Sequence, residues 1–123
     1  MKAYGEYKYF CYRVTPYLPI CGCGHNAATL HYNDNDKILQ DGQTVLVDYA
    51  HSVGHYASDI TSSFPVNGKF TQKQRDIYEL VLKASRSVMS AMKPGVSWTD
   101  MHLLAERVIL TGLRDLGLVS GDI

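Results

Sequence analysis

The hydrophobic period of this sequence changes once, at the loop PVNGKF (residues 65–70), and that change sets the order of its elements. Before the loop the pattern is that of strands. Val45-Leu46-Val47 is an apolar, largely β-branched run leading into Asp48. His55 to Ser63 reads as a second strand, closed by Phe64-Pro65, and a turn at Val53-Gly54 makes the two an antiparallel hairpin. Tyr17 to Cys23 reads as a further short strand, and Asn33 to Gly42 as a polar surface loop. After the loop the period is helical. Thr71 with Gln74 three positions on forms a capping box. The helix it opens runs to about Met92 on an apolar stripe of Ile77, Val81, Ala84, Val88 and Met92, and Lys93-Pro94-Gly95 stops it. A second helix, starting near Ser97 to Asp100, uses Met101, Leu104, Val108 and Leu116 and ends at Gly117. Strands followed by helices give an α+β domain. Residues 1–13, rich in Tyr, Lys and Phe, read as the end of a helix or of a strand within a connecting segment, residues 1–18, ahead of a domain covering 19–123.

Charge narrows the function classes. Twelve basic residues balance twelve acidic ones, for a formal net charge of +0 over 123 residues, so no global field draws the chain to nucleic acid or to an anionic membrane. The first residues, MKAYGEYKYF, lack an apolar signal core, and no apolar run is long enough to span a bilayer. Cys11, Cys21 and Cys23, an odd number without a signal sequence, read as reduced thiols in a cytoplasmic protein. Cys21-Gly22-Cys23 followed by His25 has the outline of half a metal knuckle; with no second pair, small buried cysteines on a strand account for it better.

Chemistry enters with two aspartates eleven positions apart. Asp48 follows directly on a core-like run, where an isolated carboxylate is costly to bury, and Asp59 lies in the partner strand. Counting outward from a Val53-Gly54 turn brings the two opposite each other. Facing carboxylates at such a distance repel, raise one pKa, or take a cation between them. The plainer reading is that both cap turns or face solvent. Among the histidines, His25, His51 and His55 read as solvated turn residues, with His51, three positions past Asp48, the nearest to the pair in sequence.

Four stretches together resemble the proline-specific metallopeptidases of the pita-bread (creatinase/aminopeptidase) fold: ATLHY around His31, VLVDYA around Asp48, YASDITSSFPVNGKFTQKQRDIYELVL around Asp59, and the tail MKPGVSWTDMHLLAERV. The tail is most similar to the Xaa-Pro dipeptidases, and SFPVNGKFTQKQRDIY is shared with the Xaa-Pro aminopeptidases. The resemblance implies an incomplete pita-bread domain, an antiparallel hairpin plus two packing helices. It implies that Asp48 and Asp59 are metal ligands, Asp59 bridging, and that His31 lies by the substrate. Two divalent ions are implied, Mn²⁺ first and Co²⁺ or Zn²⁺ as alternatives, with a bridging hydroxide attacking the scissile carbonyl of a small proline-containing peptide. A homodimer of the full-length protein is implied as well. The family completes its site with a His and two Glu downstream of the stretch matched here, so this chain is expected to be inactive by itself. Where the family favours Gly two positions after the first Asp, this sequence has Ala50. The alternative is a metal-free relative serving as an interaction module.

Overall fold

The computed structural model describes residues 15–123; Cys11 and most of the segment 1–18 lie outside them. The chain divides into two compact units, Met1–Phe70 and Thr71–Ile123. The division falls where the hydrophobic period changes.

In the first unit, β1 (Ile20–Cys23), β2 (Thr44–Tyr49) and β5 (Ile60–Pro65) form an antiparallel sheet in the order β1-β2-β5. β1 is shorter than the Tyr17–Cys23 run suggests: Pro19 interrupts it, because proline has no N–H to give to a ladder. A short 3₁₀ helix, Gly24–Ala28, follows β1. Val45 of β2, 1% exposed, is the best buried side chain of the sheet, with Ile20 and Cys23 beside it in the core. Cys21 and Cys23 are free thiols on β1. One edge of the sheet is answered by a side chain. The Cys21 amide donates to Asn35 Oδ1 at 2.7 Å, and Asn35 Nδ2 donates to the Pro19 carbonyl, also at 2.7 Å. Asn35 holds a left-handed backbone to do so (φ 49°), a conformation asparagine tolerates better than most residues.

The hairpin corrects the expected turn. β3 (Ser52–Val53) and β4 (Tyr56–Ala57) pair as Ser52↔Ala57 and Val53↔Tyr56, so the two-residue turn is Gly54-His55. Both residues take positive φ, 55° and 69°, as a type I′ turn requires. The His55–Ser63 run is two strands, β4 and β5, interrupted at Ser58-Asp59. There the Ser58 amide donates to the His51 carbonyl at 2.9 Å, and the His51 amide donates to Ser58 Oγ at 3.0 Å.

In the second unit, α1 (Gln72–Ala91) opens on the predicted capping box: the Gln74 amide donates to Thr71 Oγ1 and the Thr71 amide to Gln74 Oε1. α2 (Trp98–Asp115) ends in a Schellman motif, with the Gly117 amide on the Arg114 carbonyl and the Leu118 amide on the Leu113 carbonyl, both 2.9 Å. The predicted stripe on α1 holds at Ala84, which is buried, and at the half-buried Val88, but not at its other positions. Ile77, Val81 and Met92 are 37%, 52% and 50% exposed, and the buried residues are Leu80 and Ala84. The burial of Leu80 is explained on the other helix. Gly112 of α2 leaves a notch that Leu80 fills: a Cβ built there would sit 2.8 Å from Leu80 Cδ2 and 3.0 Å from Cγ, and nearer still to Cδ1. No helix among the described residues is long and apolar enough to cross a membrane.

Candidate metal centre

Register decides which side chains meet. Across β2 and β5, Asp48 pairs with Thr61 and Tyr49 with Ile60, so Asp48 does not face Asp59 directly. Continuing the same register past Tyr49 sets Asp59 level with Ala50, one diagonal step from Asp48. The expected pairing is displaced by two residues because the turn, still two residues long, lies one residue later in the chain, and each such step moves a cross-strand partner by two. An even displacement keeps every side chain on its own face of the sheet, since side chains alternate with a period of two. The two carboxylates therefore still share a side.

Tyr17 shows that they also share a partner. Its hydroxyl lies 2.6 Å from Asp48 Oδ1 and 2.9 Å from Asp59 Oδ1, so the two oxygens are no farther apart than those bonds allow. Asp48 and Tyr17 are half-buried and Asp59 is exposed. A phenol carries one proton, which it donates to one carboxylate at a time. Two negative groups thus converge on a single neutral donor. The hydrogen bond to Asp48, then loss of hydration, then the bond to Asp59 hold the Tyr17 phenol in its protonated form well above the ordinary tyrosine range.

This donor set suits a cation. Carboxylate oxygens on one face are the ligands that Mn²⁺, Mg²⁺ and similar hard or borderline ions prefer. The described residues supply a pair: among them no group of three or more His, Cys, Asp or Glu side chains converges. Ala50, the residue in place of the family's glycine, is 2% exposed and does not take a positive φ, so the backbone there accepts a methyl group.

His31 lies on the turn after the 3₁₀ helix, exposed, with a left-handed backbone (φ 54°). No hydrogen bond joins it to either aspartate among the described residues. His25 is exposed in the 3₁₀ helix, and the backbone of His51 is tied to Ser58. The residue that sequence reasoning missed is Tyr17. Its only signal was an aromatic residue between two prolines, Pro16 and Pro19, just ahead of the first strand.

The profile of metallopeptidase family M24 matches residues 1–120. The human Xaa-Pro dipeptidase is 47% identical over 126 aligned residues, which take in 95% of this chain and 26% of that protein. The Xaa-Pro aminopeptidase of Haemophilus influenzae is 45% identical over 118, covering 96% of this chain and 27% of that one. The chain thus spans about a quarter of the length of these relatives. Escherichia coli aminopeptidase P superposes with a TM-score of 0.87 at 38% identity over 97% of this chain and 27% of its own. It has been solved with each of two aspartates replaced by alanine, and those two are separated by the same interval as Asp48 and Asp59. A zinc-substituted form of the same enzyme has been solved with product. The fold described above is accordingly the α+β pita-bread fold of these aminopeptidases, in part.

Proposed function

We propose, from the premise that this chain belongs to metallopeptidase family M24, that it contributes Asp48 and Asp59 as metal ligands to the hydrolysis of Xaa-Pro dipeptides. The observation that carries this reading is the meeting of both aspartate Oδ1 atoms on the Tyr17 hydroxyl, at 2.6 and 2.9 Å. The spacing they share with the two substituted aspartates of E. coli aminopeptidase P supports it.

The roles of the chain's own groups follow from their placement. Asp48, half-buried at the end of β2, is fixed by the strand and offers an oriented carboxylate. Asp59, at the break before β5, is more exposed and reaches toward the same point from a different segment. Two divalent ions held there, Mn²⁺ by the oxygen-only character of the pair, would supply Lewis acidity toward water and the scissile carbonyl. His31, exposed on its turn, is the residue assigned to face a proline-containing peptide. The free thiols of Cys21 and Cys23 suit a reducing compartment such as the cytoplasm.

A second reading, removal of an N-terminal residue ahead of proline, is favoured by the aminopeptidase P structures and by the 45% identity to the H. influenzae enzyme. A chimera separates the two. The matching quarter of the human Xaa-Pro dipeptidase is replaced by this chain, and Mn²⁺-dependent cleavage of Gly-Pro is compared with that of Gly-Pro-Ala. Preference for Gly-Pro supports the dipeptidase, and preference for the tripeptide supports the aminopeptidase. In either case Asp48→Asn or Asp59→Asn is expected to lower kcat/KM by roughly 1,000-fold, the equivalent of about 4 kcal/mol of transition-state stabilisation. Full activity in both asparagine variants would overturn the metal assignment.

A further inference from the structure

We propose that Tyr17 is a positioning residue, whose hydroxyl holds Asp48 and Asp59 side by side so that the pair is already arranged when a divalent cation arrives. This role rests on the metal-ligand reading above and extends it to a residue outside the ligand set.

Three separate segments meet at that hydroxyl. Asp48 belongs to β2, Asp59 to the interruption ahead of β5, and Tyr17 to the approach to β1, which are 31 and 42 positions from Tyr17 along the chain. The ladder between β1 and β2 aligns Ile20 with Asp48, so Tyr17 lies three residues beyond the end of that alignment. A flexible approach would leave the ring free to wander. Pro16 and Pro19 prevent this: each fixes its own φ, and each also restricts the residue before it, Thr15 and Leu18. The ring is therefore delivered from a stiff arm, at small entropic cost.

The arm compensates for a weakness in the pair. Asp59 lies outside any strand, so no ladder hydrogen bond fixes its backbone as strand pairing fixes Asp48. The two carboxylates repel, and without a shared donor Asp59 would turn toward water. A neutral hydroxyl within hydrogen-bond distance of both oxygens, its one proton shared between them in turn, keeps the pair together without cancelling its charge, which leaves the site short of a cation. Groups that orient metal ligands from behind in this way typically change metal affinity 10- to 100-fold when removed, as a rough guide.

The test is a Mn²⁺ titration of the whole chain followed by NMR, because paramagnetic broadening of the Asp48 and Asp59 amide signals detects even millimolar binding. The unsubstituted chain, Tyr17→Phe, and the double variant Asp48→Asn/Asp59→Asn are compared. Broadening in the unsubstituted chain, its loss in the double variant, and a roughly 10-fold weaker midpoint in Tyr17→Phe support the role. An unchanged midpoint in Tyr17→Phe overturns the positioning role and leaves the metal reading standing. Absence of site-specific broadening in the unsubstituted chain overturns the metal reading and the role together. A purely structural tyrosine would lower stability without moving the midpoint of the folded fraction. Should Tyr17→Phe fail to fold, the unsubstituted chain still decides. Nuclear Overhauser contacts between the Tyr17 ring and both aspartate side chains are recorded before and after adding diamagnetic Mg²⁺. Their survival supports positioning, and their loss shows a hydroxyl that the ion displaces, which overturns it.

Discussion

Gly112→Ala puts the packing of the helix pair to a quantitative test. Glycine inside a helix costs about 1 kcal/mol relative to alanine, so at an open position the substitution would stabilise α2 by that amount. Position 112 is not open. The new methyl group would lie 2.8 Å from Leu80 Cδ2 and 3.0 Å from Cγ, closer than carbon atoms approach, and Cδ1 lies nearer still. Because Cγ itself is within that range, rotating one terminal methyl does not relieve the contact; the whole isobutyl group must move. Leu80 is 9% exposed, which leaves it little room. Overpacking of this kind costs about 1–3 kcal/mol, so the net effect is a loss of about 1 kcal/mol and a melting point roughly 4 °C lower. The same substitution on a Leu80→Ala background should reverse sign and stabilise by about 1 kcal/mol, giving a coupling energy of about 2 kcal/mol in a double-mutant cycle. Urea denaturation monitored by circular dichroism measures all four proteins. If Gly112→Ala stabilises the parent and the Leu80→Ala background equally, Leu80 does not occupy the notch, and the explanation for the burial of Leu80 fails.

Three further outcomes are expected. Thr71→Ala removes the acceptor for the Gln74 amide and should lower stability by about 1 kcal/mol, read as a shift in the urea midpoint. His55→Val places a β-branched residue at φ 69° and should destabilise the hairpin tip by about 1 kcal/mol, seen as faster amide exchange at Tyr56; Asn-Gly in place of Gly54-His55 should slow it. The hydrogen bond to Asp36 raises the Tyr32 phenol from 10.0 to about 12, with lost hydration adding to it, so its folded form binds the proton more tightly than the unfolded chain. That contribution to stability is fully present below pH 10 and disappears as pH rises toward 12. The ring-carbon NMR shift of Tyr32 should titrate accordingly, and Asp36→Asn should return it toward 10.

What could be read in advance was whatever neighbouring residues decide among themselves. The capping box at Thr71 and Gln74, the stop at Gly117 and the apolar approach to Asp48 are each written within a few positions, and each stands in the structure. The hairpin turn was misplaced because a type I′ turn wants glycine or asparagine, and the second turn position is His55, which gives no such signal. That the aspartate pair survived the error is a property of strands: a slip of two leaves sides unchanged, where a slip of one would have separated Asp48 from Asp59. Tyr17 was beyond reach because its partners are 31 and 42 positions away. The face of α1 was read correctly at Ala84 and, for the same reason, missed at Leu80, since apolar residues occur around more than half of that helix. Leu80 is accepted by the notch at Gly112, on a different element.

Asn35 has a consequence for how the chain behaves among its own copies. The described sheet ends at β1, and a bare terminal strand is a template on which another molecule's strand can grow a shared sheet. At Cys21 and Pro19 the two backbone groups such a visitor would need are already occupied by one side-chain amide, which supplies a donor and an acceptor as a neighbouring strand would. An incoming chain must first break both of those bonds. The amide thus acts as a terminator for lateral growth, placed where polymerisation through this edge would have to begin.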